Sequence, residues 1–421
     1  MRLKKFTYCS EFKCMAEKCP ESCCQQWSIF FSKSDYLKLR NAQCSEELKK
    51  TIEKAIVKIN ADSEGFDYAV VRLDEKGVCP LLDGDGLCML QKELGGDGLG
   101  YACRTFPRLK TKIGEDTYIY SLDMSCPKTA QLLIEHKEGL ALSERNYDGG
   151  DGLLNAGVYS APAVSAGWEG MPYYWVIKNT QIEILQNRRL TVCERMLVLG
   201  YFSRKANEYI NHGEGGKIPV LAGRLKDIDI SREIADSLKP DQSRKSYGVK
   251  SVSLFAKMLL RAQNRDEGHL RELFRTVADS LEITFKPEES KPLNIKSDKN
   301  IEASFNSAKY LEALEVYEKI EKERSYIIEN ILVNLIFPQA LSEGIWKNYF
   351  IAAVFYNLLK TCVPAFLPKA FNDEELALAI SRTAKMTVNN GLIKKDALLD
   401  FLDNRAYTLP HAAFLIYFSQ S

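Results

Sequence analysis

Ten of the twelve cysteines in this 421-residue chain lie within its first 126 residues, and that placement constrains the fold more than any other feature. They are Cys9, Cys14, Cys19, Cys23, Cys24, Cys44, Cys79, Cys88, Cys103 and Cys126; only Cys193 and Cys362 fall in the remainder. A segment so dense in thiols points to either an oxidising compartment or a metal. The N-terminus, Met1-Arg2-Leu3-Lys4-Lys5-Phe6-Thr7-Tyr8-Cys9, is basic but lacks the apolar core of an export signal. A cytoplasmic location is therefore expected, and metal or cluster binding is favoured over a disulfide framework.

Eight of these thiols form two blocks. Cys14, Cys19, Cys23 and Cys24 come first; Cys79, Cys88, Cys103 and Cys126 arrive from later, separate elements. Soft thiolate sulfur selects zinc, Cu(I) and iron–sulfur clusters, and four thiolates suffice for one [4Fe–4S] cluster or one structural zinc. Eight would fill two such sites, or one site with bystanders. The adjacency of Cys23 and Cys24 argues against both binding one metal in good geometry. Cys126 stands just before an expected helix, whose dipole should lower its pKa towards the ligating thiolate. Cys9, Cys44, Cys193 and Cys362 read as small core residues or exposed thiols. His136, His212, His269 and His411 are scattered, and none is assigned a metal.

The expected fold is mainly α: a Cys-rich module of short strands and helices over residues 1–145, a linker or long loop over 146–172, and a helical region over 173–421. Ser45 is placed as the N-cap of a helix carrying Leu48, Ile52, Ile56 and Ile59 at helical spacing. A short strand is expected at Tyr68–Arg72. Residues 110–113 and 117–122 alternate about Gly114-Glu115-Asp116 as a strand pair, and Pro127 opens a helix. The linker reading rests on six glycines and two prolines between Asn146 and Pro172. Beyond Tyr173, apolar residues recur at three-to-four spacing. Residues 286–298 are polar and read as an exposed connection.

Several functions are disfavoured. Lys and Arg total 57 against 56 Asp and Glu, a net charge of +1, which offers no electrostatic case for nucleic acid. No run of about 18 apolar residues suggests a membrane span. There is no Gly-x4-Gly-Lys-Ser/Thr loop. Gly95-Gly96-Asp97-Gly98-Leu99-Gly100 follows an expected helix, the wrong context for a dinucleotide fingerprint, and reads as a turn. A radical-type Cys-x3-Cys-x2-Cys triplet is absent, because Gln26 stands where its third thiol would be.

Several motifs resemble the flagellin lysine-N-methylases, the FliB family. They are Phe12-Lys13-Cys14, the Cys19…Cys23-Cys24 block with Trp27, and Cys79-Pro80-Leu81-Leu82…Gly86-Leu87-Cys88. Lys92-Glu93-Leu94-Gly95, Cys103-Arg104-Thr105-Phe106-Pro107-Arg108 and Ser121-Leu122-Asp123-Met124-Ser125-Cys126-Pro127 continue the pattern. The cysteines alone are also similar to a wider group of iron- or zinc-chelating domains. Ile182-Glu183-Ile184-Leu185-Gln186-Asn187-Arg188-Arg189, Glu194-Arg195-Met196-Leu197-Val198-Leu199-Gly200 and Lys347-Asn348-Tyr349-Phe350 resemble the family's helical portion. The resemblance implies methyl transfer from S-adenosylmethionine to flagellin lysines, with a [4Fe–4S] cluster (zinc as the alternative) on the eight cysteines. A non-catalytic flagellar or other partner-binding protein with a structural zinc or iron–sulfur site is the competing reading. Trp27, Tyr101, Tyr118 and Tyr120 read either as a lysine channel or, more simply, as core aromatics. Arg104 and Arg108 read as anchors for the cofactor carboxylate or as surface charges. The catalytic and cofactor-binding residues stay unassigned.

Overall fold

The computed structural model describes residues 1–21, 23, 29–60, 68–75, 77–147, 159–263, 268–285, 303–389 and 408–417. The chain opens with β1 (Arg2–Phe6), which buries Leu3 and Phe6. A small module then follows: β2 (Phe30–Phe31), α1 (Lys33–Arg40), α2 (Glu46–Ala55), β3 (Ile56–Lys58) and β4 (Ala69–Val71). Ser32 and Ser45 cap the two helices, their side-chain oxygens accepting from the backbone N–H of Asp35 and Leu48. Strand β4 lies between β2 and β3, antiparallel to both. Helix α3 (Met89–Leu94) stops at Gly95, whose φ of +68° suits glycine, and α4 (Tyr101–Thr105) follows. Phe31, Leu39, Leu48, Ile52 and Leu90 close these elements into a small core of their own.

Strands β5 (Arg108–Ile113) and β6 (Thr117–Leu122) form the expected hairpin, turning through Gly114 at φ +60°. Helix α5 (Pro127–Glu135) carries its proline in the first turn; β7 (Leu142–Asn146) and β8 (Tyr159–Val164) complete a five-stranded sheet ordered β7-β1-β6-β5-β8. Strand β1 runs parallel to β6, and β5 parallel to β8. The small module is thus an excursion between β1 and its parallel neighbour.

From residue 174 the described chain is almost wholly helical: α6 (Tyr174–Leu185), α7 (Val192–Asn211), α8 (Lys217–Arg224), α9 (Ile228–Leu238), α10 (Arg244–Gln263), α11 (Gly268–Ser280), α12 (Ser307–Glu323), α13 (Ser325–Ile336), α14 (Ile345–Cys362), α15 (Asp373–Ala384) and α16 (Leu409–Ile416). One two-stranded ribbon, β9 (Thr284–Phe285) with β10 (Ala303–Ser304), interrupts them. Helix α14 is the axle. The stretch Ile345–Phe366 is long and apolar enough to cross a bilayer, yet 83% of its most apolar window is buried inside the protein, as in a core helix. Gly200 on α7 permits a close approach, because a Cβ there would sit 2.5 Å from the Tyr349 ring.

The mainly α class and the helical C-terminal region agree with the sequence reading. Three features differ. Helix α2 ends at Ala55, so Ile56, expected on it with Ile59, opens β3 instead, paired with β4, and Ile59 lies just past that strand. Within the glycine-rich stretch read as linker, Tyr159–Val164 is a sheet strand; Pro162 is tolerated because β8 lies at the sheet edge, where one row of N–H groups needs no partner. Residues 148–158 of that stretch, and the polar connection 286–298, lie outside the described residues. The hydrophobic division also falls elsewhere than at residues 146–172. Leu3, Phe6, Ile119 and Leu133 share one continuous core with the C-terminal helices, while residues 29–103 hold the separate small core. Helix α13 makes the join: Asn330 donates to the carbonyls of Leu133 and His136, and Asn334 to that of Leu122. Buried amide donors are costly unless paired, so these bonds hold α5 and β6 against α13 in one register.

Candidate functional site

The structure places six of the eight candidate thiols in two neighbourhoods. Cys79 is buried in the small core, with Cys88 and Cys103 half-buried against it alongside Cys44. Cys88 stands just before the start of α3 and pairs through its backbone with Leu82; the loop between them is held by Asp83, which accepts from the N–H groups of Asp85 and Leu87 and pairs with Lys92. Cys14 and Cys19 belong to the other neighbourhood, near each other and, through Cys19, near Cys126. Cys23 is exposed, and Cys24, like Trp27, lies outside the described residues. Among the described residues, no three His, Cys, Asp or Glu side chains come together as a metal-binding group. The described thiols therefore do not by themselves compose a complete ligand set.

Cys126 corrects one expectation. It does precede α5, but it is buried, and burial pushes its thiol up to about 11 despite the backbone N–H groups of Thr129 and Lys128. Desolvation outweighs the helix end.

The described aromatic and arginine candidates are part of the packed fold. Tyr118 meets Tyr147 edge-on beneath Lys110, and Tyr120 is buried in the large core. Tyr101 sits half-buried at the start of α4. Arg104 faces Asp35 at 3.5 Å, and Arg108 lies over the Phe12 ring.

A more specific arrangement occurs in the helical region. A cavity of about 410 Å³ opens between the end of α6, the loop at residues 186–190, and helices α7, α8 and α9. Its floor is aliphatic, from Ile184, Leu190, Val198 and Leu225; its rim carries Glu183, Asn187, Arg189 and Lys226. Glu183 and Lys226 form an exposed pair at 3.6 Å. No carboxylate pairs with Arg189 among the described residues.

The loop wall is rigidly held. Arg195, buried on α7, donates to the carbonyls of Leu185 and Leu190 at either end of the loop, at 3.0 and 2.9 Å. It also donates to Glu329 of α13 at 2.9 Å, and Glu329 is 1% exposed. Arg188 makes a two-pronged contact with the same carboxylate at 2.9 and 3.0 Å and reaches the Lys137 carbonyl. Gln186 donates to the Leu140 carbonyl. Five residues of loop are thus anchored at both ends and in the middle, so the outward side chains of Asn187 and Arg189 are presented from a fixed backbone. Residues 182–189 and 194–200, quoted above for the resemblance, supply most of this wall. Their role was not legible beforehand, because Glu329 lies more than 130 positions away and carries no local signal.

Two other charged groups escaped the sequence reading. Lys178 on α6 is fully buried; its amine donates to the Ile336 carbonyl at 2.6 Å, and burial pushes its pKa down to about 7. Glu21 is buried between Arg382 and Lys385, each at 2.7 Å. Burial opposes its ionisation, but the two cations outweigh that and hold the carboxyl below its ordinary range. This contact ties the first cysteine block to α15 and the turn after it.

Comparison with known proteins places the cavity in a recognised context. Residues 178–415, more than half of the chain, match the FliB lysine N-methylase C-terminal domain. That range includes every residue lining the cavity and excludes the ten N-terminal cysteines. The chain is similar to the lysine-N-methylase of Salmonella typhimurium, 27% identical over 139 residues, which is 33% of this chain and 34% of that protein. The lysine-N-methylase of Salmonella choleraesuis aligns to the same extent. The flagellar biosynthetic protein FliU of Salmonella muenchen is 26% identical over 139 residues, 33% of this chain and 80% of that protein. The chain thus aligns with only about a third of the length of the two lysine-N-methylases. No solved structure matches it.

Proposed function

Because this chain belongs to the FliB lysine N-methylase family, we propose that it is a protein lysine N-methyltransferase that takes its methyl group from S-adenosylmethionine. The match over residues 178–415 carries this reading. The flagellar name of one relative supports flagellin as the protein substrate, met in the cytoplasm before export. In the reaction the lysine nitrogen lone pair forms the new N–C bond while the sulfonium S–C bond breaks. Sulfur leaves as a neutral thioether, and the amine proton passes to solvent.

The obstacle is the proton, because a free lysine has a pKa of about 10.4. Removing the amine from water lowers that value, and Lys178 illustrates the size of the effect in this fold, at about 7. Aligning amine and sulfonium in a fixed site contributes the remainder.

Within the same proposal, the cysteines of the first third hold an iron–sulfur cluster, with zinc as the alternative. Soft sulfur chemistry supports that reading, while the described thiols alone do not supply a complete donor set. A bound cluster would brace the module, and methyl transfer to an amine requires no redox step from it. Iron and sulfide analysis of anaerobically prepared protein tests this part; stoichiometric zinc without iron overturns the cluster.

The activity is tested by incubating the full chain with flagellin and methyl-labelled S-adenosylmethionine, then mapping lysines by mass spectrometry. Label on flagellin lysines is the expected result. Flagellin binding without any transfer overturns it in favour of a partner-binding protein.

A further inference from the structure

We infer that the cavity between α6, α8, α9 and the pinned 186–190 loop is the methyl-donor site, binding S-adenosylmethionine with its carboxylate on Arg189 and its cationic centre near Glu183. This rests on the methyltransferase reading and deepens it by giving the donor a place.

Three observations converge here. The volume, about 410 Å³, lies within the range of small-molecule pockets, roughly 300–1,000 Å³. The donor needs three kinds of surface, and the cavity offers each. The adenine faces are apolar, and Ile184, Leu190 and Val198 present an aliphatic floor. The amino-acid carboxylate needs a guanidinium, and Arg189 faces the cavity without a carboxylate partner among the described residues. The ammonium and sulfonium need an anion, and Glu183 supplies one. Its present partner, Lys226, is a 3.6 Å exposed contact, and such pairs are weak enough to yield.

The third observation is rigidity. Arg195 and Glu329 hold the Arg189-bearing loop before any ligand arrives, so little ordering is left to be done on binding. Neither Arg195 nor Glu329 lines the cavity, so their function in the site is to position.

Other occupants fit less well. A lysine side chain carries one cation and no anion, so Arg189 would repel it, and four methylenes would leave most of the space empty. A nucleotide polyphosphate would meet Glu183.

Binding of S-adenosylmethionine and of its neutral thioether product to the full chain, measured by calorimetry, tests this directly. Arg189→Ala should weaken both ligands by about tenfold or more, as for a lost charge-assisted contact. Glu183→Gln should weaken the sulfonium-bearing donor more than the neutral product. Both residues are exposed, so the variants should keep the wild-type melting temperature, which is checked in parallel. If the wild type binds donor and methylates flagellin while both variants bind donor normally, the site assignment is wrong and the methyltransferase reading stands. Unchanged donor binding with weakened flagellin binding would assign the cavity to the protein substrate, which also overturns the inference. A wild type that binds no donor, alone or with flagellin, overturns both.

Discussion

Replacing Glu329 with glutamine is the sharpest test of how the helical region is built. The carboxylate is 1% exposed and faces two guanidinium groups, Arg195 at 2.9 Å and Arg188 at 2.9 and 3.0 Å. The side chain of Arg195 is 3% exposed, so in Glu329→Gln its charge remains buried without a counter-ion. Arg188, at 40% exposed, can return to water and adds little. Breaking a buried pair in this way costs about 3–5 kcal/mol. For a region of this size, each kcal/mol corresponds to roughly 2–4 °C, so the melting point should fall by about 10 °C. Urea unfolding followed by helical circular dichroism should show a lower midpoint with an unchanged slope. A companion variant, Arg195→Met with Glu329→Met, removes both charges and should be less destabilised than Glu329→Gln alone. A loss below about 1 kcal/mol in Glu329→Gln, or a double variant as unstable as the two single changes summed, would refute the buried-charge argument.

Other outcomes follow from the same geometry. Lys178 has a folded pKa of about 7, well below that of the unfolded chain, so the unfolded state binds the extra proton between those values. Stability should therefore rise with pH from 7 towards 10, with a slope of up to about 1.4 kcal/mol per unit, and Lys178→Met should flatten it in urea melts. Glu21 acts with the same sign in a more acidic window: its contribution is complete above the ordinary glutamate range, about 4.3, and is lost as pH falls through its lower folded value. Limited proteolysis should show the first cysteine block loosening in acid, and Glu21→Gln should loosen it at neutral pH. Gly200→Ala pushes a Cβ to within 2.5 Å of the Tyr349 ring and should cost about 1–3 kcal/mol by thermal melting. Cys103→Ser should lower bound metal and protease resistance in the first third, while Cys362→Ser, whose thiol is buried outside that module, should change neither.

Local features were readable in advance wherever a short-range rule governs them. Ser45 caps α2 because a hydroxyl reaches the N–H three residues on; Gly114 turns the β5–β6 hairpin; Pro127 opens α5; Gly95 ends α3. Each needs only its neighbours. The misreading of Tyr159–Val164 has the matching explanation. Glycine and proline density around it signals a loop, and only the presence of β5 alongside converts an edge segment into a strand. The helix dipole at Cys126 was likewise a correct local inference, overruled by burial that local sequence does not encode.

By itself, the sequence determined the mainly helical class, the capped ends of its elements and the concentration of soft ligands in the first third, because these depend on residue type and spacing within a few turns. Tertiary structure alone decided that the N-terminal elements and the helices share one core joined by Asn330 and Asn334, and that six of the described thiols fall into two neighbourhoods. It alone decided, too, that Arg189 is presented to a cavity by a loop anchored on Glu329. Those outcomes depend on groups more than a hundred residues apart satisfying one another's buried charges and hydrogen bonds, and no pattern read along the chain contains that pairing.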